Sequence, residues 1–597
     1  MNRRGRRTSA AKARRELTSL DISNLSALAT GAYGNGRPEE AEVISKKILA
    51  NVPLHRESLM LLGAIYQNSG RHRLAIKQFL RAIALNSFDP ICHYNIACSY
   101  QILGEFPAAR GHFTKAVQLG IGVEEFTAHN PTVLTCIRRI KKPFTSSIGE
   151  AVIDPKDLVS IANDLFLQCA LRLTLVRSVE LELFLTELRQ TLLRLVIETP
   201  VAITDDVAGL LCALAQQCFI NEYVFAQKAD EAQLAEKLRN LMLQRMVTGE
   251  KISVSILSAV AAYFPLHRLP EAEKLSSAQW PEWAADLITQ QIDEVFEERR
   301  DQLNIPELTT IDNDTSIQVM RQYEENPYPR WTINRLAAMS DEDKRREGRL
   351  HSGRSPPKTI LIAGCGSGQH ACEMAQYFPD ADILAIDLSR ASLAYGKRKA
   401  REQKINNIKW GQADLLKLDK INGFFDRVEC VGVLHHLADP FEGWRLLLKL
   451  LKPAGIMRIG LYSELARRSV SQAREQAAAS GFSVEDIREF RQVLIRDSNE
   501  KRWQTMFNGL DFYSMSGCRD LIFNVMEHRF SIPQIANFLT ENHLSFLGFE
   551  LPDRIMEQFH AQHSAANAAL DLKIWDVFEQ SNPNAFRPMY IFSVVKS

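Results

Sequence analysis

The sequence lacks the features that mark several specialised classes of protein. Its ten cysteines form no CxxC pair and no His/Cys cluster with zinc-site spacing, so we expect neither disulfides nor a bound metal. No apolar run approaches about 18 residues and no signal-peptide pattern is present, which favours a cytoplasmic protein without a membrane span. The net charge is only +1 over 597 residues, so no global field indicates a nucleic-acid partner.

The most informative stretch combines a buried strand, a glycine turn and the start of a helix. Thr359 to Ile362 are branched or apolar and lead directly into Gly364, Gly366 and Gly368. Glycine tolerates positive φ and lets the backbone approach a ligand, while a helix start presents free N–H groups. This stretch predicts a nucleotide-like cofactor site.

Strand and helix patterns then alternate from Thr359 to Leu461. The second predicted strand ends at Asp387, where a carboxylate can accept hydrogen bonds from ribose hydroxyls, and the third ends at Asp414. The alternation predicts a doubly wound, largely parallel sheet with a site at the carboxyl ends of its strands.

The spacing distinguishes between two classes of cofactor. A dinucleotide fingerprint requires a small residue where this chain has Gln369, which weakens a dehydrogenase interpretation. The glycine turn, Asp387, Asp414 and the turn Lys452-Pro453-Ala454-Gly455 together resemble the class I S-adenosylmethionine-dependent methyltransferases. That resemblance implies a Rossmann-like α/β domain. It also implies S-adenosylmethionine contacts from Gly364, Cys365, Gly366, Gly368, Asp387, Leu388, Asp414, Leu415 and Val433.

Methyl transfer to a hydroxyl or ammonium needs a base, and four residues near the expected cleft are candidates. They are His435, His436, Glu527 and His528. Each has a structural alternative: the histidines could cap a helix or pack against the cofactor, and Glu527 with His528 could form a salt link. The last two belong to a helical insertion predicted at about 463–540, which we expect to form a cap. The segment Gln322 to Trp331 is either a lid over the ligand or an interdomain linker.

The N-terminal part of the chain contains a basic tail and an internal repeat. Residues 1–19 carry arginines and lysines and are predicted to form a disordered tail. Between residues 20 and 121, small residues recur every 34 positions, as at Ala41, Ala75 and Ala109. This pattern resembles about three tetratricopeptide repeats, which implies binding of a protein partner or self-association.

The whole chain is therefore predicted to be multidomain. All-α helical repeats come first, an all-α middle domain occupies 122–310, and a methyltransferase domain with a helical cap occupies 311–597. The predicted function is S-adenosylmethionine-dependent methyl transfer to an unidentified protein side chain or small molecule. The alternative is a catalytically inactive scaffold that binds the cofactor and acts through its repeats.

Overall fold

The computed structural model describes residues 18–126, 130–141, 153–200, 203–325, 327, 330–333, 348, 355–420, 424–497, 501–565, 567–587 and 589–596. The predicted basic tail lies outside the described residues except for its last two positions. The chain divides into two compact units, one of residues 1–122 with 165–170 and the other of 123–164 with 171–597. The predicted all-α middle region and the sheet domain therefore share one unit. No helix among the described residues is both long enough and apolar enough to cross a membrane.

The first unit contains six helices arranged as three consecutive hairpins. The helices are α1 (Ser19–Gly34), α2 (Pro38–Asn51), α3 (Arg56–Asn68), α4 (His72–Leu85), α5 (Pro90–Ile102) and α6 (Phe106–Gln118). Small residues permit close helix crossings: a Cβ on Gly63 would lie 2.7 Å from the ring of Phe79. The turn glycines Gly36, Gly70 and Gly104 all have φ near +70°, which explains why glycine recurs there.

The second unit begins with helices up to residue 325. They are α7 (Val123–Phe126), α8 (Pro131–Lys141), α9 (Pro155–Ala162), α10 (Leu165–Leu173, whose first six residues belong to the first unit), α11 (Val179–Glu198), α12 (Asp205–Ile220), α13 (Ala229–Thr248), α14 (Val254–Ala261), α15 (Glu273–Ser276), α16 (Glu282–Ile288), α17 (Glu294–Gln302) and α18 (Asp314–Glu325). A π-helical segment, Thr289–Asp293, joins α16 to α17. Its Gln291 is buried and donates to the carbonyls of Ala215 and Ala261.

A seven-stranded sheet with flanking helices forms the rest of this unit. In chain order the elements are β1 (Thr359–Ala363), α19 (Gln369–Tyr377), β2 (Asp382–Asp387), α20 (Arg390–Glu402), β3 (Ile408–Gln412), β4 (Phe425–Val431), α21 (Pro440–Leu450), β5 (Leu451–Leu461), α22 (Arg468–Ala479), α23 (Ile487–Arg496), α24 (Lys501–Phe507), α25 (Met515–Phe523), α26 (Ile532–Glu541), β6 (Leu544–Phe549), α27 (Asp553–Gln562), α28 (Leu572–Ser581) and β7 (Tyr590–Lys596). The strand order is β3-β2-β1-β4-β5-β7-β6, with β1 to β5 parallel and β7 antiparallel to both neighbours. The predicted fold class, all-α followed by Rossmann-like α/β, is confirmed.

One turn predicted from the sequence lies within the bounds of a strand. Lys452 to Gly455 was expected to be a loop, but β5 begins at Leu451 and includes these residues. Ala454 has a φ of 58° and the pairing of β4 with β5 is irregular between Phe425 and Arg427. The pairing passes from Leu451 to Ile456, so the four residues between them form a bulged turn within β5.

The insertion between β5 and β6 has a hydrophobic core that is separate from that of the sheet. Helices that precede α18 in the chain also pack against this core. Phe490, Trp503 and Phe512 are buried in it, and Leu175 and Leu183 pack against it from the region before α18. Arg491 on α23 is fully buried and donates to both carboxylate oxygens of Glu182 on α11, at 2.9 and 2.7 Å. The insertion is thus fixed to the all-α region as well as to the sheet.

Candidate active site

A cavity of about 490 Å³ lies at the carboxyl ends of the parallel strands. Its lining follows the order of the strands, with Asp414 after β3, Asp387 ending β2, Gly364 and Gly366 after β1, and Val433 after β4. With neighbouring strands about 4.8 Å apart, Asp414 and the end of β4 are separated by roughly 14 Å. This is the distance over which an extended nucleoside with an amino-acid tail can lie.

The glycine turn fits tightly between β1 and its neighbours. Gly364, Gly366 and Gly368 all have positive φ, between 52° and 79°. A Cβ on Gly364 would lie 2.4 Å from the side chain of Val433, and one on Gly368 would lie 2.6 Å from the ring of Trp410. Side chains at these positions would therefore clash with their neighbours as well as strain the backbone. Gly368 is not among the residues that line the cavity, so its role is to bring α19 close to α20.

Asp387 connects the glycine turn to the second strand. Its carboxylate accepts hydrogen bonds from the backbone N–H of Gly366 at 2.8 Å and of Ser389 at 2.9 Å. Burial raises the pKa of Asp387, and those two backbone hydrogen bonds only partly oppose the effect. The remaining lone pairs of a carboxylate held in this way can accept hydrogen bonds from a vicinal diol such as ribose.

Asp414 offers an unused acceptor within the cavity. Its Oδ1 accepts from the backbone N–H of Leu416 at 2.9 Å, and its own backbone N–H donates to Thr309 at 2.7 Å. Among the described residues, its buried Oδ2 has no hydrogen-bond partner. A buried acceptor left in this state is stabilised by a ligand that brings a donor, such as an exocyclic amino group. The residues present therefore fit S-adenosylmethionine: adenine at Asp414, ribose at Asp387 and the methionine part along the glycine turn.

The side of the cavity next to α19 contains a buried charge network. The Nε2 of His370 lies 2.9 Å from Glu429, which is also paired with Arg427 at 2.5 Å and with Arg458 at 3.3 Å. Burial opposes protonation of His370, but hydrogen bonds to Glu373 and Glu429 raise its pKa. Burial alone would raise the pKa of Glu429, yet Arg427, Arg458 and His370 together hold it well below its usual range.

The four predicted acid–base candidates have different environments. His436 lines the cavity, whereas His435, Glu527 and His528 are not among its lining residues. Glu527 is 2.7 Å from Arg467 and 3.6 Å from Arg474, so it forms a salt link. Its partners are arginines, and His528 is not one of them.

The side chain of His435 is packed in the core, and the backbone of His528 lies next to it. The ring of His435 is fully buried and stacks on Tyr462 with 3.8 Å between the centroids. Burial, with smaller contributions from His436 and Arg467, lowers the pKa of His435 well below its usual value. The backbone N–H of His528 donates to the carbonyl of His435 at 2.8 Å. Burial therefore disfavours His435 as a base, and His436 is the one of the four candidates that lines the cavity.

Two residues of the cavity were missed from the sequence as site residues. Tyr323 on α18 and Asp520 on α25 both line it, and the Tyr323 hydroxyl donates to Asp520 Oδ1 at 2.6 Å. Asn313, Thr315, Ser316 and Val319, around the start of α18, line it as well. The segment Gln322 to Trp331, expected to be either a lid or a linker, contributes Tyr323 to the lining of the cavity; Asn326, Tyr328 and Pro329 lie outside the described residues. Trp331 is buried and donates to the carbonyl of Ser367, beneath the glycine turn.

Comparison with known proteins identifies the domain around this cavity. Residues 360–455 match the family described as "Methyltransferase domain". An uncharacterized protein from Synechococcus is 31% identical over 220 residues, which cover 34% of this chain and 52% of that protein. A ubiquinone biosynthesis O-methyltransferase from Acinetobacter baumannii is 34% identical over 99 residues, 16% of this chain and 41% of the enzyme.

A solved structure is also similar to part of the chain. PKMT2 from Rickettsia typhi is 21% identical, with a TM-score of 0.35, over 45% of this chain and 56% of that protein. The chain spans about half the length of the relatives that it matches. The family match covers the glycine turn, Asp387, Asp414 and the strands that carry them, and so residues 360–455 are similar to a methyltransferase domain.

Proposed function

We propose that this protein transfers a methyl group from S-adenosylmethionine to an acceptor bound between β4, β5, α18 and α25. The observation that carries the proposal is the order of polar groups along one cavity, from the unpartnered Oδ2 of Asp414 to His436 beyond β4. The nine cofactor contacts expected from the sequence stay proposals; Gly368 is the one that does not line the cavity.

The cofactor supplies a methyl group already activated by the positive sulfur, so the protein mainly binds, orients and excludes water. Asp387 and Asp414 would hold the nucleoside, while the backbone of Gly364 and Gly366 would lie along the methionine part. His436 would accept the proton that the acceptor atom releases. Residues of α18 form part of the wall of this cavity.

The test is methyl transfer from labelled S-adenosylmethionine to a lysate of the source organism, fractionated by size. We expect the wild-type protein to transfer the labelled methyl group. The variant His436→Gln should lose most of this transfer but bind S-adenosylhomocysteine with unchanged affinity. The exposed His543→Gln provides the control. Absence of binding of either cofactor form would contradict the function, binding without transfer would favour the inactive scaffold, and full transfer by His436→Gln would remove His436 as the base. The expectation that the helical hairpins bind a protein partner or a second copy stays a prediction.

A further inference from the structure

Two hydrogen-bond acceptors face each other at the end of the cavity beyond β4. The Nε2 of His436 lies 3.9 Å from Oδ1 of Asp520, and both residues line the cavity. Hydrogen bonds of about 2.8–3.0 Å from one atom can reach two acceptors at this separation. A single ligand atom bound here can donate to both side chains only if it carries at least two hydrogens.

The tautomer of His436 follows from its other ring nitrogen. Its Nδ1 lies 2.7 Å from the carbonyl oxygen of Met526, which can only accept. Neutral His436 must therefore carry its proton on Nδ1, and its Nε2 presents a lone pair to the cavity. His436 is an acceptor at this point, and so is the carboxylate that it faces.

Asp520 brings a carboxylate to this end of the cavity, and its hydrogen-bond donors among the described residues are neutral. Its Oδ1 accepts from the hydroxyl of Tyr323 at 2.6 Å and from the side-chain amide of Asn524 at 2.8 Å, both neutral donors. Apart from the contact with His436, no ion pair of Asp520 is present in the part of the chain that the structure describes.

Arg467 and Arg474 interact with Asp520 electrostatically, but both form their ion pairs with Glu527. Arg467 is bound to Glu527 at 2.7 Å, and Arg519 is bound to Glu325 at 2.6 Å. Asp520 is only 4% exposed. A buried carboxylate of this kind is stabilised by a cationic ligand and repels an anionic one.

We propose that the methyl acceptor is an alkyl amine that enters this site as its ammonium ion, an inference that rests on the proposed function. Asp520 would bind the charged group and His436 Nε2 would take one of its protons. The freed nitrogen lone pair would form the new N–C bond as the C–S bond breaks, with the bonding pair moving to sulfur. The products are a methylated ammonium and S-adenosylhomocysteine, and one proton remains on His436. A carboxylate acceptor is disfavoured by the charge of Asp520, and a hydroxyl has only one hydrogen for the two acceptors.

The probe is butylammonium chloride, titrated calorimetrically into the full chain saturated with S-adenosylhomocysteine. Butan-1-ol and sodium butyrate are the neutral and anionic controls of equal chain length. We expect only butylammonium to bind, and Asp520→Asn to weaken its binding about tenfold or more, since it removes the charge and keeps the shape. The exposed Asp553→Asn should leave binding unchanged.

Three outcomes would overturn the amine assignment: equal binding of butanol, stronger binding of butyrate, or unchanged butylammonium affinity in Asp520→Asn. An Asp520→Asn variant that still binds S-adenosylhomocysteine as the wild type does is folded, so its result is interpretable. Failure of S-adenosylhomocysteine to bind at all would contradict the proposed function instead. If butylammonium binds, the transfer of labelled methyl groups is then compared between small amines and proteins. Label on small amines indicates a metabolite as the acceptor, and label on protein indicates a side-chain amine.

Discussion

The substitution Asp414→Asn tests the placement of the adenine most directly. Oδ1 of Asp414 accepts from the backbone N–H of Leu416, so the oxygen of an asparagine must occupy the same position. Its amide NH₂ then replaces the unpartnered Oδ2 and presents a donor to the amino group of adenine. Two donors cannot pair, so the affinity for S-adenosylhomocysteine should fall by the usual value of a hydrogen bond to a charged group, about 1.5–3 kcal/mol, or roughly 10- to 150-fold.

The same geometry predicts that the protein itself tolerates the change. Among the described residues Oδ2 has no partner to lose, so the free energy of unfolding should change by less than about 1 kcal/mol. Calorimetry measures the affinity and urea denaturation measures the stability. Asp382→Asn, on the exposed first residue of β2, makes the same change of charge away from the cavity and should alter neither.

A base-modified ligand provides the decisive comparison. S-inosylhomocysteine carries a carbonyl where the adenine analogue carries its amino group, so it should bind Asp414→Asn better than it binds the wild type. If Asp414→Asn binds S-adenosylhomocysteine with unchanged affinity, or if its preference between the two ligands does not shift, the placement of adenine at Asp414 is refuted.

Two further predictions concern the structure around the cavity. Because the pKa of His370 is raised in the folded protein, its stabilising contribution is fully present below about pH 6.5 and is lost as the pH rises through the folded-state pKa. The free energy of unfolding should therefore decrease from pH 6 towards pH 9, by less in His370→Gln; equal slopes for both proteins would contradict the assignment. Gly396→Ala in α20 should destabilise the protein by about 1–3 kcal/mol, because its Cβ would lie 2.8 Å from the ring of Trp410. Gly31→Ala in α1, where nothing lies within 4 Å, should be neutral or stabilising, and equal effects of the two alanines on thermal unfolding would show that packing at Gly396 is not the cause.

The part of the site that contacts the proposed cofactor was predictable because it is local in sequence. A glycine turn after a buried strand, and an acid at the end of each of the next two strands, are each encoded within a few residues. The parallel order of the strands then brings them to one edge of the sheet. The unpartnered state of Asp414 Oδ2 was not predictable, because it depends on which donors the surrounding chain happens to provide.

The sequence by itself determined the order of the elements, the glycine turn with Asp387 and Asp414, and the class of cofactor that they indicate. Only the tertiary structure decided the acceptor side. Tyr323 and Asp520 are 197 positions apart, and their hydrogen bond forms because α18 and the inserted α25 meet over the sheet. It also separated His436, which faces the cavity, from the adjacent His435, which is buried against Tyr462. Neighbouring residues of the same type have different environments here because side-chain direction and burial depend on packing between distant segments.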